Sequence, residues 1–384
     1  GATLKISYIG YQTQEVKAAR TMKIILKEDS ELLQEVVVVG YGTQKKANLT
    51  GAVATVDVNK TLDSRPIADI GRGLQGAVAG VNITIPTGEV GSDPLIKIRG
   101  QVGSISGNNT PLILLDNVEI PSIQMVNPND VQSISVLKDA ASSSIYGSKA
   151  AFGVILITTK SGAQSDKFEI SYSNNFSWQD PAKKIEIGGI EALQYTLDAQ
   201  TNRREPMPAG GFWRISPESL EKAIEWQNLY GGKVKWNDPV VYGRDWFYDG
   251  KDKYGYRLYD GAKAMIKNWT PTMTHNLSVN GKSGKTSYNI GLGYLDQSGM
   301  SKTAKKDDFK RYNASVSVTS EINKYITVRA SSIYSDRNKR YPGIGNTTAD
   351  PWLYLYRWSP LMPMGVTENG NPLKEPTYEM AAAN

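Results

Sequence analysis

Long segments in which apolar and polar side chains strictly alternate fill much of the second half of the chain. The first segment places Phe168, Ile170 and Tyr172 on one face and Ser171 and Ser173 on the other. Four further segments repeat the pattern, at residues 277–279, 288–294, 312–318 and 326–330. A period of two is the period of a β-strand, because successive side chains point to opposite faces. The second half is therefore predicted to form a sheet of long strands.

The make-up of these segments favours a membrane barrel over a soluble sandwich. Strands of about ten residues that are apolar on one face, small and polar on the other, and aromatic near their ends are typical of transmembrane β-strands. Soluble sandwiches alternate as well, so a single segment would decide little. Five of them, with short connections at 281–284 and 321–324 on one side and long loops on the other, indicate the barrel.

Composition excludes several other kinds of site. The chain has 384 residues, no cysteine and one histidine, His275. Disulfides, thiolate metal sites and sites with several histidines are therefore ruled out. The net charge of +6 is spread along the chain without a dense basic block, so no nucleic-acid tail is indicated. No apolar run approaches the roughly 20 residues that a transmembrane helix requires.

A run of four valines, Val36 to Val39, lies near the start of the chain. β-Branched residues favour an extended backbone, so the run predicts a strand. It lacks polar alternation and is flanked by charged residues and glycines. A short core strand is the simpler interpretation of the run alone. A peptide that pairs with the sheet edge of another protein is the alternative.

Two irregular regions interrupt the strand patterns, one between the valine run and the first alternating segment and one between the first and second alternating segments. Residues 48–162 mix short apolar strands with helical spacing and Gly/Pro-rich loops, which predicts a compact α/β unit. The connection from about 180 to 270 is longer than ordinary loops, which indicates a function. Ser216 is predicted to cap a helix that runs to Leu229. The five tryptophans of this connection either bind sugar rings or a partner protein, or pack the loop's own core.

An ordered series of motifs resembles a known family. Glu35–Lys46 reads Glu-Val-Val-Val-Val-Gly-Tyr-Gly-Thr-Gln-Lys-Lys. Further matching motifs follow at 49–53, 74–76, 79–81, 98–100, 111–118, 127–131, 136–140, 145–148 and 153–160. Taken in order, the series resembles the TonB-dependent transporters of the SusC type, continuously from about Glu35 to Gly162.

The resemblance implies a mixed fold: an α/β plug domain followed by the first strands of an antiparallel transmembrane β-barrel of about 22 strands. The expected parts are the end of a β-sandwich regulatory-like extension, a linker with the TonB box, the plug, and the first part of the barrel with long extracellular loops. Their expected ranges are 1–27, 28–47, 48–163 and 167–384. A barrel cannot close on five strands, so we expect a portion of a longer protein.

The resemblance also implies a function and its partners. The expected function is active import of oligosaccharides across the outer membrane of a Gram-negative bacterium. TonB would supply energy from the inner membrane, a SusD-type lipoprotein would act as a lid, and two transporter–lid pairs would form a dimer. Peptide import by the same mechanism and a non-transporting surface glycan-binding protein are the alternatives. No cofactor, metal or enzymatic activity is expected.

The resemblance assigns roles to several residues. The TonB-binding residues are Glu35, Val36, Val37, Val38 and Val39, which are expected to be mobile and unpaired until the partner arrives. The substrate-binding candidates are polar residues of two plug loops, which could equally be ordinary turn residues: Glu89, Ser92, Asp93, Ser104, Ser106, Asn108 and Asn109. The residues expected to join plug and barrel are Arg99, Lys138 and Asp139.

A glycan-degrading enzyme is a third interpretation. Asp116 and Glu119 are the carboxylates that could act as acid and base in such an enzyme. The sequence favours turn and strand roles for both residues.

Overall fold

A computed structural model describes eighteen parts of the chain, and all structural statements concern these residues. They are 3–6, 14–17, 24, 36–39, 42–45, 53–56, 68–85, 89–100, 110–162, 168–181, 186, 188–203, 213–235, 238–248, 253–302, 304, 306–341 and 361. None of the helices in these parts is long and apolar enough to span a membrane.

Two small hairpins come first. β1 (Thr3–Ile6) pairs antiparallel with β2 (Gln14–Lys17). β3 (Val36–Val39) pairs antiparallel with β4 (Gly42–Lys45), with Val36 opposite Lys45 and Val39 opposite Gly42. The expectation that the valine run is unpaired is therefore wrong in this structure. The docking-peptide interpretation did not consider that the run could pair with the segment directly after it.

The described residues of the α/β unit form seven short strands, two short helices and three 3₁₀ turns. The strands are β5 (Val53–Val56), β6 (Val81–Thr84), β7 (Leu95–Ile98), β8 (Leu112–Leu115), β9 (Val118–Glu119), β10 (Val131–Leu137) and β11 (Val154–Thr159). The helices are α1 (Ile70–Leu74) and α2 (Ala140–Ser143), and the 3₁₀ turns are Ile123–Met125, Pro128–Asp130 and Ser144–Ala150.

These strands form one five-stranded sheet and one hairpin. The sheet order is β5-β10-β11-β8-β9, in which only β11 and β8 run parallel, and β6 pairs with β7. β10 and β11 are apolar and almost wholly buried, because α1, the turn at Ile123 and the β6–β7 hairpin contribute to the cluster that covers them. Asp69 caps α1 by accepting a hydrogen bond from the Arg72 amide.

The second half contains the long strands and an inserted unit. In chain order its elements are β12 (Glu169–Gln179), α3 (Ile190–Arg203), β13 (Trp213–Arg214), α4 (Pro217–Tyr230), β14 (Trp246–Tyr248), β15 (Lys253–Gly255), α5 (Gly261–Met265), β16 (Thr270–Ser283), β17 (Thr286–Ser298), β18 (Asp308–Glu321) and β19 (Thr327–Arg340). The five long strands form one antiparallel sheet in the order β12-β16-β17-β18-β19, here called the wall.

The two faces of the wall differ as the alternation predicts. Ile290, Leu292 and Val316 on one face are exposed, whereas Asn313 and Ser315 on the other face are buried against the α/β unit. The face that lies against the α/β unit is here called the inner face. Ile333 on this face packs against the apolar core of the α/β unit. The described strands leave the wall open, with β12 and β19 at its edges.

The inserted unit, residues 188–265, has its own core. Leu193, Leu220 and Ala223 of its helices pack together with Leu361 from beyond β19. The predicted helix is confirmed as α4, which Ser216 caps through a capping box with Ser219. Of the tryptophans whose side chains are described, Trp226 and Trp246 are buried and Trp269 is exposed.

Asp245 is the polar centre of this unit and is fully buried. It accepts hydrogen bonds from Trp226 Nε1 at 2.9 Å, the Val241 amide at 2.9 Å, and Arg244 Nε and Nη2 at 2.7 Å each. The buried Arg257 guanidinium lies 3.4 Å away. Burial pushes the pKa of Asp245 upward, but the Arg244, Val241 and Trp226 hydrogen bonds outweigh burial, and the pKa is lowered.

Candidate functional site

The candidate site is the junction between the α/β unit and the inner face of the wall. Residues 122–130 of the α/β unit lie against β17, where the wall has two glycines. A Cβ atom at Gly291 would lie 2.5 Å from the Asp130 carboxylate, and one at Gly293 would lie 2.5 Å from the Asn127 amide nitrogen. The absence of these side chains is what allows such a close approach.

Local capping fixes the shape of residues 122–130. Ser122 Oγ accepts a hydrogen bond from the Gln124 amide, and Asn127 Oδ1 accepts one from the Asn129 amide. Each cap closes one 3₁₀ turn, and Pro128 occupies the first position of the second turn. The turns leave backbone carbonyl groups of the segment available to the wall.

Different wall side chains form hydrogen bonds with different polar groups of residues 122–130. Hydrogen bonds cross the junction from Arg311 Nη1 to the Gln124 carbonyl at 3.0 Å, from Asn313 Nδ2 to the Met125 carbonyl at 2.8 Å, from Asn127 Nδ2 to Asn276 Oδ1 at 3.0 Å, and from Ser315 Oγ to Asp130 Oδ2 at 2.9 Å. These four hydrogen bonds replace hydrogen bonds to water that the paired groups lose on burial.

Asp130 is the buried carboxylate of the junction. Burial raises its pKa, while the Ser315 hydrogen bond and the charges of Lys160 and Arg311 act in the opposite direction without cancelling the effect. Asp130 therefore keeps its proton up to a higher pH than an exposed aspartic acid does.

The loop at 89–94 forms a second part of the junction. Glu89 forms an ion pair with Lys339 of β19, and Lys339 Nζ also donates to Ser92 Oγ at 3.3 Å. Asp93 Oδ1 accepts a hydrogen bond from Ser122 Oγ at 2.7 Å, and the same hydroxyl accepts one from Arg337 Nη1 at 2.7 Å.

An apolar contact lies beside these polar ones. Ala68 and Val90 of the α/β unit pack with Leu295 and Phe309 of the wall, and all four are buried. A Cβ atom at Gly91 would overlap the Phe309 ring, and Gly91 also has a φ of 69°. The loop therefore needs glycine at this position for both space and backbone conformation.

The structure brings together three of the seven substrate-binding candidates. Glu89, Ser92 and Asp93 lie in one loop and contact β19 or the turn at Ser122. The other four candidates lie outside the described residues: Ser104, Ser106, Asn108 and Asn109. Their role in binding stays a prediction, and so does that of the valine run, whose Glu35 also lies outside the described residues.

The residues expected to join plug and barrel make their described contacts elsewhere. Lys138 Nζ donates to the Ala79 carbonyl at 2.6 Å, and Asp139 caps α2. Arg99 has a φ of 56°, and its amide donates to the Gly80 carbonyl. The plug–barrel role of these three residues stays a prediction. Contacts from the α/β unit to the wall also come from residues 122–130 and 89–92 and from Ala68. These contacts have no local signal in the sequence, because the partners of Asn127 and Ser122 lie 149 and 215 residues away.

The pair considered for catalysis has structural partners. Asp116 accepts hydrogen bonds from the Thr159 amide at 2.9 Å and the Thr159 hydroxyl at 2.5 Å. Glu119 forms an exposed ion pair with Lys149 at 2.6 Å. These contacts agree with turn and strand roles. Within the described parts of the chain, no group of three or more His, Asp or Glu side chains could hold a metal ion.

Comparison with protein families gives one matching model. The model described as "TonB-dependent Receptor Plug Domain" matches residues 45–154. This range covers the α/β unit with its junction segment and most of its sheet.

Curated relatives match most of the chain. It is 30% identical over 327 residues to "TonB-dependent receptor SusC" of Bacteroides thetaiotaomicron. This alignment covers 83% of this chain and 28% of the relative. The chain is 31% identical over 355 residues to "TonB-dependent receptor P26" of Formosa agariphila, and this alignment covers 90% of this chain and 31% of the relative. The chain thus spans less than a third of the length of either relative.

A solved structure shares the fold. The RagAB peptide importer in its "open-open" state aligns with a TM-score of 0.57 and 27% identity, over 80% of this chain and 33% of the other. A plug followed by antiparallel wall strands, as predicted from the sequence, is confirmed by these matches. Closure into a barrel of about 22 strands stays an expectation.

Proposed function

Because the chain belongs to the TonB-dependent receptor family and is of its SusC type, we propose that it serves energised import of an oligomeric solute across the outer membrane. The observation that carries this proposal is the plug held against the inner face of the wall by residues 122–130. A plug in that position blocks the lumen, and separate hydrogen bonds allow part of it to be displaced without breaking its apolar core.

The β3–β4 hairpin is the proposed segment through which TonB pulls on the plug. β3 is paired with β4 on one side, and the described residues place no strand on its other side. A strand edge of this kind can accept a strand from another protein through main-chain hydrogen bonds. TonB in the periplasm is the proposed donor of that strand, with Glu35 to Val39 as the docking segment.

Oligosaccharides are the proposed cargo, and a SusD-type lipoprotein is the proposed lid, with two such pairs forming a dimer. Import of peptides is the second candidate, which the resemblance to a peptide importer supports. Hydroxyl and amide groups of the outward plug loops can pair with either class of cargo. No covalent chemistry is required of the chain in this role.

The test is deletion of Glu35 to Val39 from the full-length transporter. Uptake of labelled oligosaccharide and peptide mixtures by cells is expected to fall to the level of cells without the transporter. Binding of the same mixtures to the purified protein should stay within about twofold, because the proposed cargo site lies on the other side of the plug.

A pair of variants at Val37 tests whether import depends on strand pairing of this segment or only on the identity of the side chain. Val37→Pro removes a main-chain donor and fixes φ, which opposes strand pairing, whereas Val37→Ile retains strand propensity. We expect loss of uptake for the first variant and normal uptake for the second. Uptake that persists after the deletion would show that import through this segment is wrong.

A further inference from the structure

The end of β19 presents a pair of cations on the inner face of the wall. Arg337 and Lys339 are two residues apart in the strand, so they lie on the same face about 7 Å apart. Arg337 lies opposite Arg311 of β18, and the Lys339 side chain is about a third exposed. The Tyr341 ring lies 5.8 Å from the Lys339 amine. Three cationic side chains therefore converge on the inner face at this end of the wall.

The described carboxylates that pair with these cations or act on them come from the plug. The wall strands place no acidic residue among their described inner positions at this level, which are Asn175, Ser177, Thr272, Thr274, Leu295, Gln297, Phe309 and Arg311. Asp307, directly before β18, is a wall-side carboxylate near Glu89, and it accepts a hydrogen bond from the Ser301 amide. Glu89 pairs with Lys339, and the charges of Asp69 and Asp130 act on Arg311. Displacement of the loop at 89–94 would therefore leave Lys339 without the counter-charge of Glu89.

We propose that Arg337 and Lys339 form a binding site for a carboxylate group of the incoming solute, and that Glu89 of the plug occupies this site until the solute arrives. This inference rests on the proposed import function and narrows its cargo to solutes that carry a carboxylate. Such a group belongs to a peptide, at its C-terminus or an acidic side chain, or to an acidic sugar.

Physical chemistry favours the exchange. An incoming carboxylate replaces another carboxylate, so Lys339 keeps a partner of the same charge and geometry throughout. The existing pair is partly exposed, and ion pairs of this kind contribute little net stability, so displacing Glu89 costs little. Glu89 and Ser92 lie in the same loop, and both contact Lys339, so loss of the pair also loosens the plug from β19.

The test measures binding to the purified full-length transporter with matched probes. One pair is a peptide with a free C-terminus and the same peptide with an amidated C-terminus. The other pair is an oligogalacturonate and its methyl ester. We expect the free carboxylate of one pair to bind about fivefold tighter than its neutral partner, and the pair that shows this preference identifies the source of the carboxylate.

Variants assign the preference to this site. Lys339→Met should reduce the ratio between the two probes to nearly one, and Lys339→Arg should restore it. Glu89→Gln should tighten carboxylate binding about threefold, because the internal competitor loses its charge. Lys149→Met removes an exposed ion pair elsewhere on the plug and should leave the ratio unchanged.

Three results would overturn the inference: no carboxylate preference in either pair, a preference that survives Lys339→Met, or tighter binding of cationic probes. The Glu35 to Val39 deletion distinguishes this failure from failure of the proposed function. The deletion should abolish uptake and leave the probe ratio intact, so either result can fail without the other.

Discussion

The junction between plug and wall and the inserted unit between β12 and β16 both bury polar groups, but they do so differently. In the inserted unit, Asp245 alone accepts hydrogen bonds from Trp226, Val241 and Arg244. At the junction, by contrast, five separate wall side chains each form a hydrogen bond with one group of residues 122–130. One region depends on a single centre, and the other depends on several independent contacts.

This difference has a consequence for how each region comes apart. Removing the centre of a buried network leaves several donors unsatisfied at once, so the effect is large and local. Removing one of several independent contacts leaves the others in place. The inserted unit should therefore behave as one rigid body, whereas the plug should separate from the wall in steps.

Asp245→Ala gives the largest expected effect. It leaves the Arg257 guanidinium, which is 1% exposed, without its carboxylate, and such losses cost about 3–5 kcal/mol. Hydrogen exchange of the full-length protein should show loss of protection across α4 and β14. Glu225→Gln removes an exposed ion pair with Lys222 on the same helix and should change protection little. Protection retained in Asp245→Ala would contradict the single-centre interpretation.

Gly291→Ala gives the next effect. The added Cβ would lie 2.5 Å from both Asp130 Oδ1 and Ser315 Oγ, and these two side chains are hydrogen-bonded to each other. Overpacking of this kind costs about 1–3 kcal/mol, so exchange protection of residues 122–130 should fall. Gly189→Ala is the control, since a Cβ at that position would meet nothing within 4 Å. Equal effects in the two variants would argue against a close-fitting junction.

The pH dependence of Asp130 gives the smallest effect and has the opposite sign to that of Asp245. Because burial raises its pKa above 3.8, ionisation of Asp130 costs more in the folded protein, and junction stability should fall as pH rises through the raised pKa. The pKa of Asp245 is lowered, so its contribution is present above pH 3.8 and is lost as pH falls through the lowered pKa.

Asp130→Asn checks this sign. The variant should remove the decline in junction stability with rising pH and change stability at neutral pH by less than about 1 kcal/mol, since the amide oxygen can still accept from Ser315. The measurement is protection of residues 122–130 across pH, corrected for intrinsic exchange rates. If junction stability still declines with rising pH in Asp130→Asn, a titratable group other than Asp130 causes the decline.

The sequence predicted those features that depend on local patterns. Alternation predicted the wall strands and their two faces, and Ser216 predicted the start of α4, because period and capping are properties of neighbouring residues. The motif series predicted the plug. For the valine run, strand propensity was right, but its pairing with β4 depended on the segment that follows.

The junction could not be predicted in the same way. Residues 127–131 enter the prediction only as one motif of the family series, because nothing local indicates which wall residue they meet. Their fit depends on the register of β17, where a shift by one residue would turn Gly291 and Gly293 to the other face. Glu89 and Asp93 were noted for their polarity, yet their contacts with Lys339 and Ser122 required the folded chain.

Leu361 joins two distant parts of the sequence in one packed core. It follows β19, yet it is fully buried among Leu193, Leu220 and Ala223 of the insertion that precedes β16. The two segments cannot vary independently, because a change of length or packing in one alters the core of the other. Exchange of surface segments between relatives should therefore succeed when both segments move together, and fail when the insertion alone is transplanted.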